Sequence, residues 1–347
     1  MIFVEARAKR VEERANISFT EYRTLFLCPV AFCIFIFVNN AHSFDSVPPG
    51  TRINDFTVAY RIARGMCADV FAVWHHVLRT PLVCKRLRPE DASDRKWRRM
   101  LRDEGTALAR LQHPGIVRLI EFNNRDRLPY LLLEHVGEQT LRDALNEEQS
   151  FAPDAAVRIV QHVGAAVHFA NERGFIHRDL KPSNIMLRGG RPVLLDFGVV
   201  WRWKGARRPP DRSGTPQYLA PEQITREPLT PQTDVYGLGI LLFELIAGAR
   251  PFRTSEERHN RDAPLDLRYP QLIEDAPELK SSRQRVSRKL QEIIRRCLAR
   301  EPERRFASVA EFIAVLDSST HVKIYPRNAL RAQKNFSPFA DPNLIKE

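Results

Sequence analysis

With 347 residues, 43% apolar and 28% charged, the chain can bury a sizeable core and suits one two-lobed domain or two small ones. Its formal net charge is +12, but the arginines are scattered without the aromatic interleaving of a nucleic-acid platform, so nucleic acid is not expected as a partner. The five cysteines, Cys28, Cys33, Cys67, Cys84 and Cys297, form neither a Cys-x-x-Cys pair nor a zinc-spaced cluster, which points to a reducing, cytoplasmic setting and away from a structural metal.

Residues 1–50 read as an N-terminal extension. Charges of both signs precede one apolar run, Leu25 to Val38, of 14 residues. That is short of the ~20 residues a bilayer core requires, and Pro29 interrupts it. Three readings stand: a weak membrane anchor, a signal-like segment with Ala41-His42-Ser43 as a small-x-small site, or an extension from an upstream start codon. Basic residues dominate the flank before the run, so a membrane reading would export the downstream chain. The extension or weakly anchoring tail ranks first. Val47-Pro48-Pro49-Gly50 reads as a linker.

From Asp55 the pattern is strand-like, with Phe56, Val58 and Tyr60 alternating and Val70 to Trp74 coming after a turn that holds one glycine, Gly65. A further strand ends Leu82-Val83-Cys84-Lys85-Arg86-Leu87. Asp91 through Leu111 predicts a helix with Trp97, Leu101, Leu108 and Leu111 on its apolar face; Glu104 lies on it, 19 residues past Lys85. Pro129 to Gly137 reads as another strand. Pro153 to Arg173 predicts a helix stopped by Gly174. It leads into Ile176-His177-Arg178-Asp179-Leu180-Lys181-Pro182-Ser183-Asn184, which places a carboxylate, an amine and an amide within nine residues. A second carboxylate ends the apolar run Leu194-Leu195-Asp196-Phe197-Gly198. Further on come Gly214-Thr215-Pro216-Gln217-Tyr218-Leu219-Ala220-Pro221-Glu222, an apolar helix opened by Asp234, and Glu301-Pro302-Glu303-Arg304-Arg305-Phe306. Arg253 to Tyr269 is polar and poor in periodicity, and the stretch after Leu316 carries no motif.

The segments His-Arg-Asp-Leu-Lys-x-x-Asn and Asp-Phe-Gly, at this separation, resemble the catalytic and metal-binding signatures of eukaryotic-type Ser/Thr protein kinases, in their bacterial branch. The resemblance covers about residues 55–317. It implies an α+β, two-lobed protein-kinase-like fold: a small antiparallel N-lobe sheet with one helix, about 55–135, and a larger, mainly helical C-lobe, about 138–317, with a tail over 318–347. It also implies transfer of the ATP γ-phosphate to Ser/Thr hydroxyls of protein substrates. Asp179 would orient the acceptor hydroxyl and take its proton, Lys181 would counter the γ-phosphate charge, and Asn184 and Asp196 would hold Mg2+. Lys85 would hold the α- and β-phosphates, paired with Glu104. Nucleotide contacts are further implied for Ile62, Gly65, Val70, Glu134, Val136 and Met186, with Leu133 controlling the back pocket. His177 and Phe197 are expected to pack rather than react.

Thr215 and Lys181 match the Ser/Thr choice, and the docking segment ending Ala-Pro-Glu disfavours a small-molecule kinase. By resemblance, Asp234 anchors the catalytic-loop backbone and Arg305 pairs with Glu222. The sequence departs from the family at the glycine loop, where Ala63 and Ala68 replace two glycines, so weaker ATP affinity is expected rather than loss. That departure supports a rival reading, a pseudokinase acting as a nucleotide-binding scaffold. No hydroxyl lies four to eight residues before Thr215; Asp211, four residues before it, either pairs with Arg178 in place of a phosphate or is an exposed loop aspartate, two readings that stand level. The loop basics Arg202, Lys204, Arg207, Arg208 and Arg212 read by default as a solvated loop; the sharper reading is a preference for acidic residues around the target hydroxyl.

Overall fold

The computed structural model describes residues 47–318, other than 138, 204–207, 253–259 and 261. The apolar run 25–38, Cys28, Cys33, Lys204, Arg207 and the tail after 318 lie outside the described residues. Among the described residues, no helix is long and apolar enough to cross a membrane. The described residues divide into two compact units, one built from those up to Leu101 together with Leu119–His135, the other from Arg102–Arg118 and those from Val136 to Ser318.

The first unit is a six-stranded antiparallel sheet of β1 (Arg52–Ile53), β2 (Phe56–Arg64), β3 (Ala68–His75), β4 (Thr80–Leu87), β5 (Leu119–Asn123) and β6 (Tyr130–Glu134), in the order β1-β2-β3-β4-β6-β5. Period-two alternation sends Phe56, Val58, Phe71, Val73, Leu82, Cys84, Tyr130 and Leu132 into one core. Burial pushes the Cys84 thiol up to about 12, so it is an inert apolar filler there. Val47 joins the same core, and Gly50 N–H donates to Val58 O at 2.8 Å. The expected linker Val47–Gly50 is therefore part of the folded unit, because an apolar residue ahead of two prolines found a place against the sheet.

Helix α1 runs Arg95–Leu108, not Asp91–Leu111. Asp91 and Asp94 are held in successive turns, and the Asp94 side chain accepts the Lys96 N–H at 2.7 Å, a cap that starts the helix at Arg95.

The second unit is mainly helical: α2 (Leu141–Glu148), α3 (Pro153–Glu172), α4 (Pro221–Thr225), α5 (Pro231–Ala247), α6 (Leu265–Arg268), α7 (Arg288–Cys297) and α8 (Val309–Asp317), with short strands β7 (Phe175–Ile176), β8 (Ile185–Arg188), β9 (Arg191–Leu194) and β10 (Trp201–Arg202). Local chemistry sets several starts. Thr140 and Asp143 form a capping box for α2, and α3 and α5 begin with proline at their first position. Helix α5 is buried over nearly its whole circumference, as a helix apolar all round must be, and α3, α7 and α8 pack against it. The unperiodic stretch before Tyr269 contains the short helix α6; Tyr269 itself is buried with Leu219 and Ile224.

The strongest polar tie in this unit is Arg305 to Glu222, as expected, at 2.8 and 2.9 Å in bidentate form with the Arg305 side chain wholly buried. Its remaining N–H groups go to the carbonyls of Gln232, Ala299 and Arg300 at 2.8 to 3.0 Å. Removing one partner strands the other charge, so Arg305→Ala should lower unfolding free energy by about 3–5 kcal/mol in urea titrations, and a loss below about 1 kcal/mol would refute the pair's structural role.

A second prediction concerns acid. His113 Nδ1 accepts the Gly115 N–H at 3.0 Å, its ring lies 5.0 Å from that of Phe169, and burial pulls its pKa from 6.5 to about 4. The folded state thus binds fewer protons than the unfolded state between those values, so stability is full above about 6.5 and falls as pH drops toward 4. His113→Gln should flatten that part of the stability–pH curve, measured by denaturation at several pH values; an unchanged slope would refute it.

Candidate active site

The segment after α3 is shaped by one carboxylate. Asp234, in the first turn of α5, is wholly enclosed and accepts the backbone N–H groups of His177 (3.0 Å) and Arg178 (3.1 Å) and the Asn171 side-chain amide (2.8 Å). Burial pushes its pKa up, while these donors work in the opposite direction. Because every partner donates, the arrangement is satisfied by the ionised form. The anchoring role expected of Asp234 is what the structure shows.

Arg178, held between these bonds, adopts φ +72°. A side-chain-bearing residue in that region costs on the order of 1–3 kcal/mol and persists only where its surroundings over-determine it. They do so here. Its N–H goes to Asp234, its carbonyl accepts the Gln223 amide at 3.0 Å, and its buried guanidinium donates to the carbonyls of Val199, Asp211 and Ser213 at 3.3 to 3.5 Å. The Asp211 carboxylate is 3.9 Å from Nη2 and also accepts the Ser213 hydroxyl. The Arg178–Asp211 pairing is therefore present, mostly through the Asp211 main chain. His177 is buried, and its ring lies edge-on to Phe197 at 4.8 Å. Burial lowers its pKa, and neutral Nδ1 accepts the Asp179 N–H at 3.3 Å. It packs, as expected, and is not poised as an acid.

This backbone delivers Asp179. Its Oδ1 accepts the Thr215 N–H at 2.8 Å; its Oδ2 accepts Lys181 Nζ at 2.7 Å and Asn184 Nδ2 at 3.1 Å. Lys181 Nζ also reaches Thr215 Oγ1 at 2.5 Å. Catalytic loop and docking segment are thus joined around one carboxylate. Asn184 donates a second bond to the Asp179 carbonyl at 2.9 Å, which occupies its nitrogen on the loop side and leaves its oxygen as the hard donor. The β8–β9 hairpin carries the chain on to Asp196, with Leu195 N–H bonded to Asn184 O at 2.9 Å, and Asp196 Oδ1 accepts the Gly198 N–H at 2.9 Å. A carboxylate and an amide oxygen suit Mg2+, which takes few protein ligands and keeps water and phosphate oxygens as the rest.

Asp179, Lys181, Asn184, Asp196, Val136, Met186 and Glu104 belong to the second unit; Ile62, Gly65, Val70, Lys85 and Glu134 belong to the first. In the first unit Val70 and Lys85 are register partners, one residue pair on the β3–β4 ladder. Gly65 N–H closes the turn on Ala68 O at 2.9 Å, and a Cβ at Gly65 would lie 2.7 Å from that oxygen, so the one retained glycine is the one the turn cannot replace. Glu104 is buried on α1, and Met186 pairs across a β-bridge with Thr140.

The docking segment is also held by residues that no motif marks. Gln271, buried, donates to the carbonyls of Pro216 and Leu219 at 3.0 and 3.2 Å and so props the docking segment. The Tyr218 hydroxyl donates to Glu244 at 2.6 Å and accepts from Arg142 at 2.8 Å; Arg142 also bonds Glu244. Gly214 has φ +125°, and its Cβ would meet the Arg178 carbonyl at 3.0 Å. Gly214 and Tyr218 lie in the docking segment that the sequence marks, whereas no motif marks Gln271, Arg142 or Glu244.

The chain matches the family described as "Protein kinase domain" over residues 56–315. It is 31% identical over 248 residues to the serine/threonine-protein kinase PknB of Mycobacterium tuberculosis, covering 69% of this chain and 38% of PknB, and 31% identical over 247 residues to PknB of Mycobacterium leprae, covering 69% and 39%. The chain thus spans well under half the length of these curated relatives. Its structure resembles the crystal structure of a point mutant of the Mycobacterium tuberculosis PknI kinase domain, with TM-score 0.57 and 25% identity, covering 80% of this chain and 99% of that one. With the family match extending over most of its length, the chain belongs to the protein kinase domain family.

Proposed function

We propose that the chain transfers the γ-phosphoryl group of ATP to serine or threonine hydroxyls of protein substrates. The observation that carries this reading is the joint held by Asp179: its two oxygens bind the docking-segment residue Thr215 and the loop residue Lys181, and Lys181 bonds Thr215 as well. Phosphoryl transfer asks the protein for placement and charge neutralisation more than covalent chemistry. Asp179, fixed at both oxygens, orients the acceptor hydroxyl and receives its proton. Lys181 lies where the charge of the transferred group is countered. Lys85 on β4 takes the α- and β-phosphates, and buried Glu104 holds the family's glutamate position on α1. Ile62, Val70, Glu134, Val136 and Met186 are assigned to the nucleotide. Asn184 and Asp196 supply oxygens for Mg2+, which when bound offsets phosphate charge. The N-terminal segment is assigned no membrane role beyond a weak tether, and the setting is cytoplasmic.

The test is radiolabelled ATP with the purified full chain and a generic protein substrate. Asp179→Asn should lower transfer by about a hundredfold or more while retaining nucleotide binding. Nucleotide binding with no transfer by either protein would replace the enzyme with a nucleotide-binding scaffold.

We further propose that activity needs no phosphate in the loop before Thr215. The Arg178 guanidinium, the cation a phosphate would meet, is buried and already bonded to three main-chain carbonyls, with Asp211 beside it. Phosphatase treatment should leave the rate unchanged, and Asp211→Ala should lower it by about twofold to tenfold, since one carboxylate carries less charge than a phosphate. Collapse of activity after phosphatase treatment would overturn this.

A further inference from the structure

Arg88 comes directly after β4 and is nearly buried, at 9% exposure. Its contacts converge on the β2–β3 turn. The backbone N–H donates to Cys67 O at 3.2 Å, Nη1 to Gly65 O at 2.7 Å, and Nη2 to Met66 O at 2.5 Å. Three successive carbonyls of the turn therefore face one residue. The guanidinium is itself fixed. Asp91 accepts from Nε at 2.8 Å and lies 2.6 Å from Nη2, Glu90 lies 3.2 Å from Nε, and buried Asp69 lies 3.7 Å from Nη1. A planar five-donor fork can satisfy carbonyls and carboxylates together; an ammonium cannot reach all of them in one geometry.

This arrangement has a consequence on the opposite side of the turn. The peptide bonds are trans, so each N–H points away from the carbonyl of the residue before it. With the Gly65 and Met66 carbonyls held on Arg88, the Met66 and Cys67 N–H groups are directed away from the guanidinium. Successive backbone N–H groups presented on one side of a turn form an anion-binding concavity. Ala63 and Ala68 lack the unusual φ values that glycine could adopt to bring backbone amides close to a phosphate, so the aim of the remaining amides depends on contacts from outside the turn.

We propose that Arg88 is a positioning residue for the nucleotide: by gripping the Gly65, Met66 and Cys67 carbonyls it aims the turn's amides at the phosphates of ATP, which lets a turn with a single glycine retain the co-substrate. This rests on the assignment of the turn to phosphate binding made above.

Arg88→Ala and Arg88→Lys are compared with the unsubstituted full chain for binding of a fluorescent ATP analogue, for the KM of ATP and of a peptide substrate, and for kcat. Tyr130→Phe is the control. It removes hydroxyl bonds to Glu121 on β5 and to Asn54 in the β1–β2 turn, neither of them in the β2–β3 turn, and tests whether general loosening of the sheet suffices. Both Arg88 variants should raise the Kd and KM for ATP about tenfold, with kcat and the peptide KM within about twofold, while Tyr130→Phe lowers the melting temperature without moving the KM for ATP. An unchanged KM for ATP in Arg88→Ala, full rescue by lysine, or an equal rise in Tyr130→Phe would each overturn the proposal. Should Arg88→Ala not fold, hydrogen exchange on Arg88→Lys decides. Faster exchange confined to residues 65–68 supports the grip, and unchanged exchange there overturns it. Unsubstituted protein that binds ATP without transfer defeats the kinase reading and leaves the Kd comparison standing; unsubstituted protein that does not bind ATP defeats both.

Discussion

A buried carboxylate fixes the chain direction on which the proposed catalytic residues depend. Asp234 sits at the start of the most deeply buried helix, and the donors it collects come from the end of α3 and from the two residues that precede Asp179. Burying it would be prohibitive without those donors. The loop would not hold Arg178 at φ +72° without the acceptor. Each cost is offset by the other. The strain belongs to the residue just before the proposed base, so Asp179 inherits its direction from a backbone held at both ends. That arrangement holds Asp179 in one geometry, with both oxygens engaged, in keeping with a preorganised group.

The docking segment is tied into the same frame from several sides. Thr215 is bound to Asp179 and Lys181, Gln223 links the Arg178 and Ser213 carbonyls, and Gln271 holds Pro216 and Leu219 from a different part of the chain. Glu222, one residue before Gln223, is clasped by Arg305. The segment that would present a substrate hydroxyl is therefore positioned by the same network that positions the base. Proximity and orientation are where a phosphotransferase gains most.

The parts of this network that are legible in the sequence are those compressed into short segments of fixed spacing. Asp179, Lys181, Asn184 and Asp196 lie on one loop and the hairpin after it, so their order along the chain nearly is their geometry. Asp234 and Arg305 are legible through the segments around them. Long strands and helices emerge from their periods, and α3 ends at Glu172, one residue short of the Arg173 its pattern indicates and just ahead of Gly174. What the sequence does not disclose are bonds between side chains and groups far along the chain. Arg88 and Gly65 are 23 residues apart and Arg142 and Glu244 are 102 apart, and no local pattern announces such a pair. The start of α1 is ambiguous in the sequence because two aspartates separated by three residues both suit a cap, and only the turn between Asp91 and Asp94 chooses the second. Val47 reads as linker because prolines come after it, although its own side chain is apolar and the sheet has room for it.

The excess of arginine takes on a different meaning once those bonds are seen. A net charge of +12 reads at first as a surface waiting for acidic partners. Yet Arg88, Arg98, Arg178, Arg212 and Arg305 each direct N–H groups at main-chain carbonyls where the chain turns or where one segment abuts another. Carbonyls at such places lack helix or sheet partners and would be costly to bury unpaired. A guanidinium is weakly hydrated and planar, so it can leave water and serve two or three of them at once, which lysine cannot do. Part of the positive charge is thus a by-product of how irregular backbone is satisfied. The chain's charge cannot be assigned wholesale to a partner surface; only arginines without such bonds, on faces the docking segment shares, bear on which substrates it selects.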